Sequence, residues 1–175
     1  NKLEPDQVDP LNIAACSFRD RGLGRDDIIP DIVEINELGR LVDPLRRSLW
    51  AGRGLALLEG FPVDLEPAVI EMMYCLLGAE LGVSVSQSYR GDRLGRVMDI
   101  GEPGRYYTVG GALEMHMDPV DAVGLMCLHK AARGGESRIA SAMAVHNAIL
   151  TERPDLMSIL REGFYYASRK LDRVE

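Results

Sequence analysis

The sequence predicts a single folded domain, a β-rich barrel or sandwich with helices packed outside it. Three observations predict this fold class. Apolar repeats typical of helices lie between residues 41 and 78 around one short strand-like run, several more strand-like runs follow from residue 83, and one further helical stretch covers residues 141–162. With 175 residues, of which 46% are hydrophobic and 27% charged, the chain is long enough to bury a core and too apolar to be disordered.

The first 30 residues are polar and acidic, and glycine and proline interrupt them. We expect residues 1–30 to form an N-terminal arm or irregular lead-in outside the core, and residues 31–175 to form the domain. A first helix is predicted in "VDPLRRSLWAGRG", where Asp43 can cap the helix, Pro44 suits its first turn and Gly52 would end it.

Two more helices follow from apolar spacing and capping signals. Asp64 and Pro67 open one that runs to Gly78, and Ser141 caps "AMAVHNAILTE", after which Pro154 restarts a helix through "DLMSILRE". The helix before Gly78 carries an apolar stripe at helical spacing, which we predict to face the core. Its members are Val69, Met72, Met73, Leu76 and Leu77.

Six segments have the pattern of short strands: "GLALLEGFP", "VSVSQSYR", "GRVMDIG", "AVGLMCLHKA", "SRIAS" and "GFYYASRK". In "VSVSQSYR" the residues alternate strictly, with Val83, Val85, Gln87 and Tyr89 on one face. Gln87 is either a hydrogen-bonded buried amide or a side chain that points into a cavity and contacts a ligand.

Composition excludes several function classes. The net charge of −7 is spread along the chain, and no Lys/Arg cluster is interleaved with aromatic residues, so we expect no nucleic-acid partner. No apolar run is long enough to span a membrane and no export signal is recognisable, so we expect no membrane partner and a cytoplasmic location. Cys16, Cys75 and Cys127 are expected to be buried free thiols in a reducing compartment.

The stretch "EMHMDP" places His116 and Asp118 two residues apart, just before Pro119. On a strand, side chains two apart point to the same side, so an imidazole and a carboxylate could share one divalent metal ion. The alternative is an ordinary polar pair at the end of a strand. A hydrolytic metal site on the same pair is disfavoured, because Glu114 and Asp121 are the close candidates for its general base and neither is a convincing one.

Downstream, "ARGGESRIAS" contains a glycine pair that allows a tight turn, followed by the hydroxyl of Ser137. In isolation, a hairpin glycine pair with a solvated serine is the better explanation of this stretch.

The order of these motifs closely resembles the taurine dioxygenase/TfdA-like branch of the Fe(II)/2-oxoglutarate-dependent oxygenases, which is related to clavaminate synthase. The run from "LEMHMDP" through "RGGES" to "ERPDLMSIL" is similar to the family's H-x-D, G-G-x-[ST] and helix. The upstream "GRGLALLEGFPVD" and "LGVSVSQSYRGDRLGRVMDIG" are similar to its N-terminal part. The resemblance covers about Pro30 to Phe164, most of the chain.

The resemblance implies a mainly β fold with flanking helices, a double-stranded β-helix or jelly-roll. It implies that His116 and Asp118 bind iron as catalytic residues, and that Ser137 contacts the distal carboxylate of the co-substrate 2-oxoglutarate. The implied reaction uses O2, converts 2-oxoglutarate to succinate and CO2, and oxidises a small-molecule substrate, usually by hydroxylation. Because halogenating relatives replace the aspartate with a small residue, Asp118 argues against halogenation.

Two parts of the family's site have no counterpart in the sequence: a second histidine ligand and an arginine that pairs with the co-substrate. His129 and His146 are poor replacements, since one ends a predicted strand and the other lies in a predicted helix. We therefore expect the chain to be the N-terminal part of a catalytic domain. The unpaired strand edges of such a part would favour homo-oligomers.

The substrate is not identified by the sequence. By family analogy, Gln87, Tyr89 and the loop "GEPGRYYTVGG" border the iron, so Arg105, Tyr106 and Tyr107 are candidates for contacting a small polar or anionic molecule. They are equally well a surface charge and a packed tyrosine pair. The alternative function for the whole chain is a non-catalytic jelly-roll module that binds or scaffolds.

Overall fold

The computed structural model of the protein describes residues 2–30, 38–88, 91–98 and 112–165. In these ranges the longer elements are helices: α1 (Pro5–Asp20), α2 (Gly39–Arg46), α3 (Pro67–Leu81), α4 (Ala142–Glu152) and α5 (Met157–Glu162). Short 3-10 turns cover Arg25–Asp27 and Pro154–Leu156, and a π-helical turn, Arg47–Ala51, continues α2. The chain divides into two compact units, Asn1–Gly110 with Met117–Lys130 and Gly111–His116 with Ala131–Glu175.

The core of the first unit lies where α1, α2 and α3 pack together. Leu11 and Ala15 of α1 meet Met73 and Leu76 of α3, and all four side chains are fully buried. The apolar stripe predicted for α3 is therefore confirmed as the face turned to the core. Burial of such a stripe, rather than intrinsic helix propensity, supplies most of a helix's stability in a protein.

Helix α1 corrects the expectation that the first 30 residues are irregular and lie outside the core. Its sequence begins with Pro5 at a position where a missing N–H costs nothing, and Gln7 bonds back to the Glu4 backbone amide at 3.1 Å. Leu11, Ala15 and Phe18 then recur at helical spacing and are buried. The division of the chain at residue 30 stays a prediction.

The other helices follow the prediction with shifted bounds. Helix α2 begins at Gly39, before the expected cap Asp43, and so contains Pro44 in its interior. Helix α3 begins at Pro67 as predicted and continues through Gly78 to Leu81.

The prediction of a mainly β fold, a double-stranded β-helix or jelly-roll with flanking helices, is wrong for the part of the chain that the structure describes. There, pairing between extended segments is limited to one parallel bridge between Lys2 and Glu59, in which the Leu3 amide donates to the Glu59 carbonyl at 2.7 Å. The alternating segment around Val83 and the apolar segment around Leu125 have no regular secondary structure, and the side chains of these two residues are 78% and 76% exposed. An alternating pattern predicts an extended chain, whereas a strand also requires a hydrogen-bonded neighbour.

In the described ranges, no helix has both the length and the apolar character required to cross a bilayer.

Candidate functional site

His116 lies in a segment without regular secondary structure and is exposed to solvent. Its Nδ1 is 2.8 Å from the backbone carbonyl oxygen of Glu114. A carbonyl oxygen can only accept, so Nδ1 is the donor in this contact, and in a neutral imidazole this tautomer has its lone pair on Nε2. Metal-binding histidines are commonly oriented in this way, with one ring nitrogen donating to a carbonyl and the other facing the metal.

Asp118 is also exposed, and it begins a tight turn. Its carbonyl oxygen accepts a hydrogen bond from the Val120 amide at 2.9 Å, with Pro119 between them. The boundary between the two compact units falls between His116 and Met117, so each candidate ligand belongs to its own unit. An imidazole and a carboxylate are a donor set that suits Fe(II). In the described ranges, no group of three or more His, Cys, Asp or Glu side chains is arranged to hold a metal ion.

Ser137 lies in a stretch without regular secondary structure and is exposed. Just before it, Gly134 and Gly135 have φ angles of 67° and 81°, a left-handed conformation that side chains other than glycine rarely adopt. A Cβ on Gly135 would lie 3.3 Å from the Cβ of Ala131. The glycine pair therefore has a backbone conformation that favours glycine, as the sequence allowed, and the close approach of Ala131 limits the room at Gly135.

Gln87 belongs to a polar loop instead of an apolar strand face. Its backbone amide donates to the Asp92 carbonyl at 2.7 Å, and its side-chain Nε2 donates to the Arg93 carbonyl at 3.3 Å. The side chain is hydrogen-bonded but exposed, so neither a buried amide nor a cavity-facing one describes it fully. Tyr89, Arg105, Tyr106 and Tyr107, the other candidate substrate contacts, lie outside the described residues.

The two remaining histidines lie in different surroundings. His129 is exposed at a bend that follows segment 122–127. His146 lies in α4, and its Nδ1 is 3.3 Å from the side-chain oxygen of Asn147.

Sequence reasoning missed a second face of α3 that contacts distant parts of the chain. Glu71 accepts hydrogen bonds from Arg25 (2.6 Å) and from Arg96 Nε (3.0 Å). Three residues further along, Tyr74 lies against the backbone of Gly124. Residues three and four apart share a helix face, so a polar set at such spacing on an otherwise apolar helix was the available signal.

Cys75 lies beside this ion-pair group. Burial raises the pKa of its thiol; Arg25 opposes the increase, and Glu71 and Asp26 add to it. The pKa of the Tyr74 hydroxyl is raised as well, first by burial and then by Cys75. Both groups therefore keep their protons at neutral pH. All three cysteines are free as predicted, but Cys16 and Cys75 are half-buried and Cys127 is exposed.

Comparison with known proteins gives two matches. Residues 21–174 match the model of the family described as "Taurine catabolism dioxygenase TauD, TfdA family". The chain is 32% identical over 163 residues to the FR-33289 synthase of Streptomyces rubellomurinus (strain ATCC 31215), an alignment that covers 89% of this chain and 48% of the relative. The chain thus spans about half the length of this curated relative.

Proposed function

Because the chain belongs to the taurine catabolism dioxygenase TauD/TfdA family, we propose that it is part of an Fe(II)/2-oxoglutarate-dependent dioxygenase that oxidises a small molecule. The proposed reaction consumes O2 and 2-oxoglutarate, releases succinate and CO2, and hydroxylates a C–H bond of the substrate. The observation that carries the proposal is the His116-x-Asp118 pair, which lies inside the family match and is followed at the family's spacing by Gly134-Gly135 and Ser137.

The residues of this chain would hold the iron and orient the co-substrate. His116 would bind through Nε2, since Nδ1 donates to the Glu114 carbonyl, and Asp118 would bind through its carboxylate. Bound iron and 2-oxoglutarate supply the oxidising chemistry. The Ser137 hydroxyl would donate a hydrogen bond to the distal carboxylate of 2-oxoglutarate, and the left-handed backbone at Gly134 and Gly135 just before it is consistent with the family's glycine pair.

The proposed substrate is a small molecule. The relative's name says that it synthesises FR-33289, a single compound, which supports a small molecule over a macromolecule as the substrate here. Gln87, Tyr89, Arg105 and Tyr106 are our candidates for contacting it.

Anaerobic addition of Fe(II) and then 2-oxoglutarate to the full-length protein tests the proposal. We expect a weak visible charge-transfer band, which His116→Ala abolishes because an iron ligand is lost. His146→Ala is the matched control, since that side chain lies in α4 beside Asn147, and it should keep the band. Absence of the band from the wild-type protein under reducing conditions would contradict the iron site.

Ser137→Ala tests the co-substrate contact. A hydrogen bond to a charged group contributes about 1.5–3 kcal/mol, so the KM for 2-oxoglutarate should rise by roughly ten- to a hundredfold. Succinate formation at varied 2-oxoglutarate concentration measures this change. Ser158→Ala, in the exposed first turn of α5, is the control and should leave the KM unchanged. An unchanged KM in Ser137→Ala would remove Ser137 from the site.

A further inference from the structure

Helix α3 has a half-buried face in addition to the one that packs in the core. Glu71, Tyr74 and Cys75 form this face and are partly exposed, whereas Met72, Met73 and Leu76 are buried. The Tyr74 ring extends to Gly124, and the two residues belong to the same compact unit. A Cβ at residue 124 would overlap with the Tyr74 hydroxyl and lie 3.3 Å from the ring carbon that carries it, so this contact requires glycine.

The segment that contains Gly124 begins just after Asp118. Residues 122–127 have no regular secondary structure, and within the described part of the chain they belong to no sheet. Val123 and Leu125 are 56% and 76% exposed on the two sides of Gly124. The Tyr74 contact at Gly124 therefore attaches this segment to α3 at a point where the neighbouring side chains contribute little.

We infer that Tyr74 and Gly124 are positioning residues for the candidate iron ligand Asp118, an inference that rests on the proposed function. Asp118 and Gly124 lie in one stretch of the same unit, Met117–Lys130. By fixing Gly124, the Tyr74 ring limits where the turn at Asp118–Val120 lies, and hence where the carboxylate is presented. Residues that orient a metal ligand commonly affect metal affinity without touching the metal.

A substitution at this contact should move one partner more than the other, because the two differ in stiffness. Tyr74 is carried by a helix whose adjacent residue Met73 is fully buried, so displacing the ring means disturbing a packed core. Segment 122–127 is mostly exposed and moves at lower cost. A methyl group added at residue 124 should therefore displace the segment, and Asp118 with it, more than it displaces Tyr74.

Titration of the full-length protein with Co(II), followed by its visible ligand-field absorption, tests the inference without requiring turnover. Gly124→Ala should weaken Co(II) binding about tenfold and alter the absorption band. The double variant Tyr74→Phe/Gly124→Ala, which removes the overlapping hydroxyl, should recover most of the affinity. Glu71→Gln is the control for general destabilisation: it should lower the unfolding temperature of the metal-free protein and leave Co(II) affinity unchanged.

If Gly124→Ala fails to fold, Tyr74→Ala provides the test, since it removes the support from Gly124 without adding an atom there. It should also weaken Co(II) binding. Two results would overturn the positioning role and leave the proposed iron site intact. One is wild-type Co(II) affinity in whichever single variant folds. The other is a double variant Tyr74→Phe/Gly124→Ala that binds Co(II) as weakly as Gly124→Ala. If wild-type protein binds no Co(II) and His116→Ala behaves identically, the proposed function is overturned, and this inference with it.

Discussion

At the scale of single residues, Glu71 joins parts of the chain that are far apart in sequence. It accepts from Arg25 and Arg96, and its side chain is only 15% exposed. Exposed ion pairs contribute about 0–1 kcal/mol to stability, so this partly buried carboxylate with two arginine partners is better placed to stabilise the fold than the exposed Arg40–Asp6 pair. Its charge also acts on the adjacent Cys75, whose pKa it helps to raise.

The Cys75 thiol should therefore react slowly with iodoacetamide near neutral pH, because the thiolate is the nucleophile. Burial is the largest cause of its raised pKa, and the Glu71 charge adds to it. Glu71→Gln should shift the pH at which alkylation reaches half of its plateau rate to a lower value. Mass spectrometry of the Cys75 peptide measures this midpoint.

The exposed Cys127 serves as the internal control in the same samples. Its alkylation profile should be identical in both proteins. A Cys75 profile that keeps its midpoint and gains only in plateau rate would indicate local opening instead of an electrostatic effect.

Substitution of a core residue gives a second prediction at this scale. Leu76 is fully buried between α1 and α3, so Leu76→Ala should lower the free energy of unfolding by about 2–5 kcal/mol. Leu125→Ala removes the same atoms from a side chain that is 76% exposed, so it should change the free energy of unfolding by less than about 0.5 kcal/mol. Denaturant unfolding of both variants checks the contrast, and equal losses would contradict the assigned core.

At the scale of elements, helix α4 begins directly after Ser141, the cap that the sequence predicts. The Ser141 side chain accepts a hydrogen bond from the Ala144 amide at 3.3 Å, which satisfies one of the amides that a helix start leaves without an intrahelical partner. The side chains along α4 are exposed or half-buried. With little burial to hold it, α4 depends more on its cap than α3 does.

Ser141→Ala should therefore destabilise the first turn of α4 by about 1 kcal/mol, which corresponds to roughly fivefold faster exchange of the Ala144 amide. Amide exchange measured by NMR gives this rate directly. Ser141→Asp restores an accepting oxygen and should restore slow exchange. If Ser141→Ala exchanges at the wild-type rate, the cap does not stabilise the helix.

At the scale of the whole molecule, the two compact units differ in how much they bury. The first contains the α1–α3 core, whereas among the described residues of the second only Met157 is buried. Large apolar side chains such as Ile139 and Phe164 of the second unit are 72% and 64% exposed. Local opening costs least where few apolar contacts are broken, so the two units should differ in local stability.

Hydrogen exchange followed by mass spectrometry should show this difference. Amides of α1 and α3 should exchange slowest, and those of α4 and α5 should exchange much faster, although all four are helices. Comparable protection in α3 and α4 would show that burial within each unit does not govern its stability.

Patterns confined to a few neighbouring residues were enough to predict the apolar face of α3, the cap at Ser141, the use of glycine for a special backbone conformation before Ser137 and the family to which the chain belongs. Each of these depends on backbone preferences or side-chain spacing within one segment. Tertiary structure decided the rest: the inclusion of α1 in the core, the two arginines on Glu71, the contact of Tyr74 with Gly124, and the absence of paired strands from the described ranges. A strand, a core face and an ion pair each need a partner from elsewhere in the chain, and alternation within one segment does not specify that partner.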